Sequence, residues 1–229
     1  MGTSARPSFG IMTPPMNVGY DDLVRVWREA DGIPAIEHAW LFDHLMPIGG
    51  DLDGPIFEGW TLLAALAAQT SRIRLGLMVT SNRFRPPAVL AKIATTVDVV
   101  SGGRLDFGIG AGSRPSVPIA RREYTAHGLP YHDSAHAVGS LAEACTIVRR
   151  LWTEDAPFDF DGAYHHLEGV RQPQTRATAG TTDRHRRAVD RDAAGRRRTR
   201  RRLEHPGRRH HRRVRTQRDA RPVLQRHRP

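Results

Sequence analysis

Lysine is almost absent from this 229-residue chain: Lys92 stands alone against 34 arginines. Most arginine codons are GC-rich and lysine codons are not, so the imbalance points to a GC-rich coding sequence. Cysteine is equally scarce. With Cys145 as the single thiol, an internal disulfide is excluded, which fits a reducing compartment; within a helical pattern its expected role is packing. The N-terminal MGTSARPSFG has no apolar signal core, and the longest purely apolar run is LLAALAA at 62–68. A bilayer span needs about 20 such residues, so the expectation is a soluble cytoplasmic protein. Scarcity is greatest at the C-terminal end, where residues 171–229 contain no Phe, Ile, Met, Lys, Asn, Tyr, Trp, Cys or Ser.

The net charge of +11 divides along the same line. Residues 1–170 carry 14 Lys and Arg against 19 acids, and residues 171–229 carry 21 Arg against five acids. The body is therefore mildly acidic, and the basic character belongs to the tail. A stretch such as AGRRRTRRRLEHPGRRHHRRVR (194–215), with Leu203 and Val214 as its large apolar residues, cannot bury enough surface to fold alone.

The body alternates strand-like and helix-like segments. SFGIMT (8–13) reads as a buried strand ended by Pro14-Pro15. Leu23, Val26, Trp27 and Ala30 then mark one helix face. HAWLFDH (38–44) is strand-like, EGWTLLAALAAQT (58–70) helical, and IRLGLMVT (73–80) a third strand. Pro86-Pro87 suits a helix start, with Leu90, Ile93, Ala94, Val97 and Val100 on one face and Ser101-Gly102-Gly103 as the stop. RLDFGIGAG (104–112) is a fourth strand running into a glycine loop. Asp133 is the expected N-cap of a helix to Trp152 whose inner side is read as Val138, Leu141, Cys145, Val148 and Trp152. Residues 158–170 read as a small hairpin or loop. Four β-then-α units imply an α/β fold with a parallel sheet, either doubly wound or a (β/α) barrel, and pattern alone leaves both open.

Parallel α/β folds place ligands at the carboxyl ends of their strands, and three strand exits carry chemistry. Asp43 and His44 follow the second strand: an imidazole there can act as acid, base or hydrogen-bond donor with a carboxylate orienting it, or the pair is a polar strand end facing water. Gly110 and Gly112, in GIGAGSR (108–114), would let backbone N–H groups approach a phosphate. Ser113 replaces the third glycine of the dinucleotide fingerprint, so that motif is not met; a plain glycine turn is the alternative. Thr80, Ser81, Asn82, Arg83 and Arg85 follow the third strand, where the two arginines would hold an anionic tail or be merely solvated. His132 and His136 have metal-pair spacing without an evident third ligand, and no metal is expected.

Together, AWLFDHLMP, the run IRLGLMVTSNRFRPPAVLAKIATTVDVVSGGRLDFGIGAG, Glu123, HGLP (127–130), LWTE and FDFDGAYHHL resemble the N-terminal half of the luciferase-like monooxygenase family. The Asp-His pair resembles the branch that uses the deazaflavin coenzyme F-420 rather than FMN. The resemblance covers about residues 8–170 and implies a TIM-barrel fold of which about the first four β/α units are present. It implies that His44 sits against the deazaflavin ring as the acid/base or hydrogen-bonding residue, with Asp43 orienting it or touching the ring. Leu77, Met78 and Val79 would form the strand bulge under the ring, often with a non-proline cis peptide. Gly110, Ala111, Gly112 and Ser113 would hold the cofactor phosphate. The implied reaction is hydride transfer with a small organic substrate, or monooxygenation with FMN; the resemblance admits homo-oligomers for intact relatives and leaves the oligomeric state open.

Family members continue with an apolar strand and a glycine-rich segment toward eight units, in about 250 residues. Here the chain turns at about Gln172–Gln174 into the arginine-rich segment. Six of its nine missing residue types, all but Trp, Cys and Ser, have codons dominated by A and T. The expected domain organisation is therefore a truncated barrel domain at 1–170 and a low-complexity tail at 171–229 produced by a frameshift. A natural disordered tail and a basic arm for non-specific polyanion or nucleic-acid binding are the alternatives, the latter without an aromatic for base stacking. With sheet edges uncovered, the chain is expected to fold poorly or aggregate; a soluble monomer that unfolds cooperatively and binds deazaflavin tightly would overturn this.

Overall fold

A computed structural model describes residues 7–113 and 117–172. The expectations for Arg114 and for the tail from residue 173 onward lie outside the described residues. In chain order the elements are β1 (Phe9–Met12), α1 (Tyr20–Gly32), β2 (Ile36–Leu41), α2 (Gly59–Gln69), β3 (Arg74–Leu77), β4 (Thr80–Ser81), α3 (Pro87–Val100), β5 (Leu105–Asp106), β6 (Ile109–Gly110), α4 (Pro118–Ala126), α5 (Ser134–Thr153), β7 (Phe158–Asp161) and β8 (His166–Val170).

Strands β1, β2, β3 and β5 form one parallel sheet in the order of the sequence. A doubly wound sheet reverses its strand order at a switch point, whereas a (β/α) barrel adds strands sequentially. The sequential order, with α1 against α2 and α2 against α3, is that of the barrel. Ala39, Leu41, Leu75, Leu77 and Leu105 are buried in the core, while His38, Trp40, Arg74, Gly76 and Asp106 alternate onto the other face. There Asp106 is ion-paired with Arg74 and lies 2.8 Å from His38 Nδ1. A Cβ on Gly76 would lie 2.6 Å from the Trp40 ring and 2.2 Å from the Asp106 carbonyl oxygen, so this close approach requires glycine.

Three indoles lock the helical layer to its neighbours through the same bond. Trp27 Nε1 donates to Thr13 Oγ1 at 2.8 Å, Trp60 Nε1 to Thr80 Oγ1 at 3.0 Å, and Trp152 Nε1 to Thr95 Oγ1 at 3.0 Å. Each buries a large apolar ring while satisfying its one donor. Helix α1 buries Leu23, Trp27 and Ala30 as the spacing predicts. Helix α3 begins at the Pro86-Pro87 pair, yet Val100 is exposed. Asp133 caps α5, its carboxylate accepting from the His136 amide. Val148 and Trp152 are buried on α5 as expected, but the rest of its buried face is Ala137, Ser140, Ala144, Ile147 and Leu151, and Val138 is exposed. Small residues bring α5 close to its neighbours, and a pattern based on large apolar residues does not see them.

Other boundaries also differ. The expected strand 38–44 is β2, ending at Leu41, so Asp43 and His44 lie beyond it. The expected strands 73–80 and 104–112 are each divided: β4 and β6 form a separate parallel pair beyond Met78–Val79 and Phe107–Gly108. Helix α4 was not visible in the sequence because its inner face is Ala120, Glu123 and Tyr124, which has no apolar period. Residues 158–170 form the antiparallel hairpin β7–β8, whose turn is tied to α5 by Glu143 accepting from the amides of Ala163, Tyr164 and His165. No helix among the described residues is long and apolar enough to cross a membrane.

Polar groups close the end of the sheet at which α1 finishes. Arg72 donates to the carbonyls of Ala30, Asp31, Ile33 and Ile36, satisfying helix-terminal acceptors. The Asp31 carboxylate accepts from the amides of Ser71, Arg72 and Ile73, each at 2.8 Å. Burial works against its ionised form, but these amides prevail and lower its pKa from 3.8 to about 2. A carboxyl depressed by folding contributes stability above its unfolded pKa and loses it as pH falls through the folded value. Asp31→Asn is therefore expected to flatten the fall in Tm between about pH 4 and pH 2, measured by thermal melts across that range.

Candidate active site

Phe42, Asp43 and His44 follow directly on β2. His44 reaches a cavity of about 310 Å³, and its Nδ1 lies 3.2 and 3.1 Å from the two carboxylate oxygens of Glu123. Glu123 is 1% exposed. Its Oε1 also accepts from the amides of Leu45 and Met46, so it holds both the imidazole and the loop behind it. A carboxylate that accepts these N–H groups takes the Nδ1 proton of His44 as well, which leaves Nε2 as the nitrogen available for proton transfer.

Asp43 lines the same cavity, while the carboxylate that holds His44 is that of Glu123. Asp43 is 3% exposed and accepts from Thr80 Oγ1 at 2.5 Å, the Ser81 amide at 3.1 Å, and Arg85 at 2.7 and 3.0 Å. Arg85 also pairs with Glu58, whose carboxylate accepts from the Trp60 and Thr61 amides at the start of α2. Burial opposes ionisation of Glu58, but the bonds from Thr61, the charge of Arg85 and the Trp60 amide hold its pKa below the usual carboxylate range. Burial likewise opposes the Arg85 charge, and Asp43 and Glu58 outweigh it. The network ties the exits of β2 and β4 to the helical layer.

The floor of the cavity is Met78 and Val79, joined by a cis peptide and 46% and 47% exposed. Leu77, expected beside them, is 1% exposed and belongs to the core, because alternation turns it toward the helices. Gly110, Ala111, Gly112 and Ser113 line another side. Gly112 has φ +82°, and a Cβ there would meet the Tyr124 hydroxyl at 2.7 Å; only glycine suits both conditions. Tyr124, whose hydroxyl lies 3.1 Å from Ser81 Oγ, has its pKa raised by burial.

Arg83 and Arg85, read as anion holders or solvated groups, are both bonded internally. Arg83 donates from Nε to the Ala111 carbonyl at 2.9 Å, and from its terminal nitrogens to the His132 and Asp133 carbonyls. It lies over the rings of Tyr124 and Tyr131. Glu123 and Tyr124 line the His44 cavity; of the two, the sequence marks only Glu123, as part of the family resemblance.

The match to the family described as luciferase-like monooxygenase spans residues 2–195. The chain belongs to the luciferase-like monooxygenase family. Two curated relatives show its breadth. The F420-dependent glucose-6-phosphate dehydrogenase of Amycolatopsis mediterranei (strain U-32) is 30% identical over 65% of this chain and 42% of its own length. The 4-hydroxyprotoasukamycin monooxygenase of Streptomyces nodosus subsp. asukaensis is 31% identical over 66% and 39%. The chain thus spans less than half of either. Among solved luciferase-like structures, monooxygenase RslO1 from Streptomyces bottropensis aligns with TM-score 0.60 and 27% identity over 77% of this chain and 51% of that one. An F420-dependent secondary alcohol dehydrogenase in complex with an F420-acetone adduct aligns with TM-score 0.64 and 21% identity over 73% and 48%. These luciferase-like neighbours are TIM-barrel enzymes, and the described residues are the corresponding half.

Proposed function

We propose that the His44 cavity takes the tricyclic ring and phosphate of coenzyme F-420, with FMN as the alternative, and that the chain's chemistry is oxidoreduction of a small organic substrate. The observation that carries this reading is the His44–Glu123 pair facing an apolar shelf. The fit is physical: Met78 and Val79 offer a half-exposed apolar surface to a flat ring, and glycines at 110 and 112 leave room where a Cβ would collide with Val79 and Tyr124. When bound, the cofactor supplies the hydride chemistry. Glu123 fixes His44 with Nε2 toward the reacting centre, where a neutral imidazole accepts the hydroxyl proton of an alcohol and an imidazolium returns it to a carbonyl. Asp43, which lines the cavity beside His44, holds the strand exits in place through Thr80, Ser81 and Arg85.

The test is titration of the chain with coenzyme F-420 and with FMN, followed by ring fluorescence; saturable quenching supports the reading, and its absence for both rejects it. Arg83 enters this reading as a positioning residue, because its bond to the Ala111 carbonyl orients the glycine loop. Arg83→Met is expected to weaken FMN by about tenfold, the worth of one to two hydrogen bonds, while riboflavin, which lacks the phosphate, changes little. Equal losses for both ligands would reduce Arg83 to a structural role.

For residues 171–229 we propose out-of-frame translation, supported by the missing residue types and the charge step. Translation of the gene past codon 172 in the other two frames should restore an apolar strand and a glycine-rich loop. The second reading, an inert fragment or polyanion-binding chain, is favoured by the 21 arginines of that segment. It predicts DNA retention at low salt that disappears when 171–229 are deleted.

A further inference from the structure

Strands β1, β2, β3 and β5 are parallel and in chain order, and β4 and β6 continue β3 and β5 beyond Met78–Val79 and Phe107–Gly108. Among the described residues no strand lies outside β1 on one side, or outside β5 and β6 on the other. The backbone bonds show what those edges offer. Thr13 donates to the Trp40 carbonyl, and Thr80 and Asn82 donate to the carbonyls of Gly108 and Gly110, each at 2.9 Å. Successive residues of a strand direct their N–H and C=O groups to opposite sides. Those of Met12 and Ile109 therefore point out of the two edges. Residues 171–229, whose apolar runs never exceed two residues, have no sequence pattern of a buried strand to lay against either edge.

Four strands are half of the eight that close a barrel, and the TIM-barrel neighbours align with this chain over 48% and 51% of their own length. A two-fold axis along the barrel leaves strand direction unchanged, so a second copy would meet both edges in parallel. The register agrees. A barrel of this kind has a shear of about eight residues, hence about four for each half turn, and the right-handed tilt of its strands sets the sense. Met12 lies level with Trp40, Gly76 and Asp106, and the fourth residue after Asp106 is Gly110. Met12 of a second copy thus falls opposite Gly110, and Ile11 opposite Ile109, which sets the edge groups of Ile109 between those of Gly10 and Met12. An odd stagger would instead turn the side chains of the two copies to opposite faces.

The side chains suit this seam. Phe9, 63% exposed, falls opposite Phe107, whose ring stands edge-on to Trp152. Met12, 46% exposed, falls beside Gly110, which lines the His44 cavity. Leu105, lower on the same edge, already gives its N–H to Asp98 and takes a bond from Arg74 at its carbonyl, and the stagger starts β1 above it. We propose that two copies of this chain close one eight-stranded barrel, β1 of each pairing with β6 of the other. Met12 of one copy then completes a wall of the His44 cavity of its partner. The assignment stands independently of the cofactor reading.

The test is sedimentation velocity of the full chain over a concentration series, in about 0.3 M salt to screen the arginine-rich tails, with amide hydrogen exchange at low and high concentration. A dimer is expected, and the Met12 and Ile109 amides should become protected as it forms. Met12→Pro removes an N–H that faces the edge and leaves the β1–β2 bonds in place. With one bond lost at each of two seams, dimerisation should weaken by about thirtyfold. Phe9→Glu, which changes a side chain already exposed in the single chain, should leave monomer. A monomer at every concentration, an open series of larger assemblies, a dimer that survives both substitutions, or one that leaves the Met12 and Ile109 amides unprotected would each overturn the proposal. Should neither variant fold, the mass and exchange of the unaltered chain still decide.

Discussion

His44→Ala is expected to slow hydride transfer by about 10²- to 10⁴-fold, the usual contribution of a positioned acid/base, while F-420 affinity changes little. The side chain meets the cavity at one edge, and the rest of the floor and loop is untouched. Glu123→Gln should act in the same direction through His44. A glutamine cannot accept from the imidazole and from both the Leu45 and Met46 amides as the carboxylate does, so the imidazole loses its fixed tautomer. Single-turnover absorbance of the deazaflavin isolates this step from product release. An unchanged single-turnover rate in His44→Ala would remove His44 from the reaction; a loss of cofactor binding alone would make it a binding residue.

Asp43→Ala is expected to destabilise the fold by about 3 kcal/mol, because Arg85, whose side chain is 12% exposed, keeps its Glu58 ion pair but loses the fully buried Asp43 carboxylate. Three further donors, from Thr80, Ser81 and the second Arg85 nitrogen, would lose their acceptor. The double variant Asp43→Ala with Arg85→Met should recover part of that loss, since both members of the buried Asp43–Arg85 pair are then uncharged and the more exposed Glu58 alone loses its cation. Denaturant melts of the two single variants and the double variant measure the coupling. If the losses add without coupling, the Asp43–Arg85 pair is not what holds the strand exits together.

The neighbouring pair Asp43 and His44 shows what a sequence can and cannot say. Their position after an apolar strand was legible, because strand exits in parallel α/β folds carry function. Their roles were not, because each is set by partners distant in sequence. His44 found its carboxylate 79 positions away on α4, and Asp43 found its arginine 42 positions away beyond β4. Glu123 lies in a stretch with no apolar period, so its burial depends on Ala120 and Tyr124 seating the short helix. Leu77, Met78 and Val79 were legible as a unit, and only the alternation of the strand separated the core residue from the two on the cavity floor.

The sequence by itself determined that β and α segments alternate, that the helices bear one apolar face, and that a glycine loop follows the fourth unit. These follow from local periodicity and from the backbone freedom of glycine, which neighbours in space do not alter. It also marked the change in composition at about residue 171. The tertiary structure decided the rest: barrel over doubly wound sheet, through sequential strand order; the inner face of α5, through small residues that allow close packing; and the pairing of His44 with Glu123 and of Asp43 with Arg85. Each of these depends on groups distant in sequence being brought within hydrogen-bond or van der Waals reach, and that distance is set only when the sheet and its helices pack.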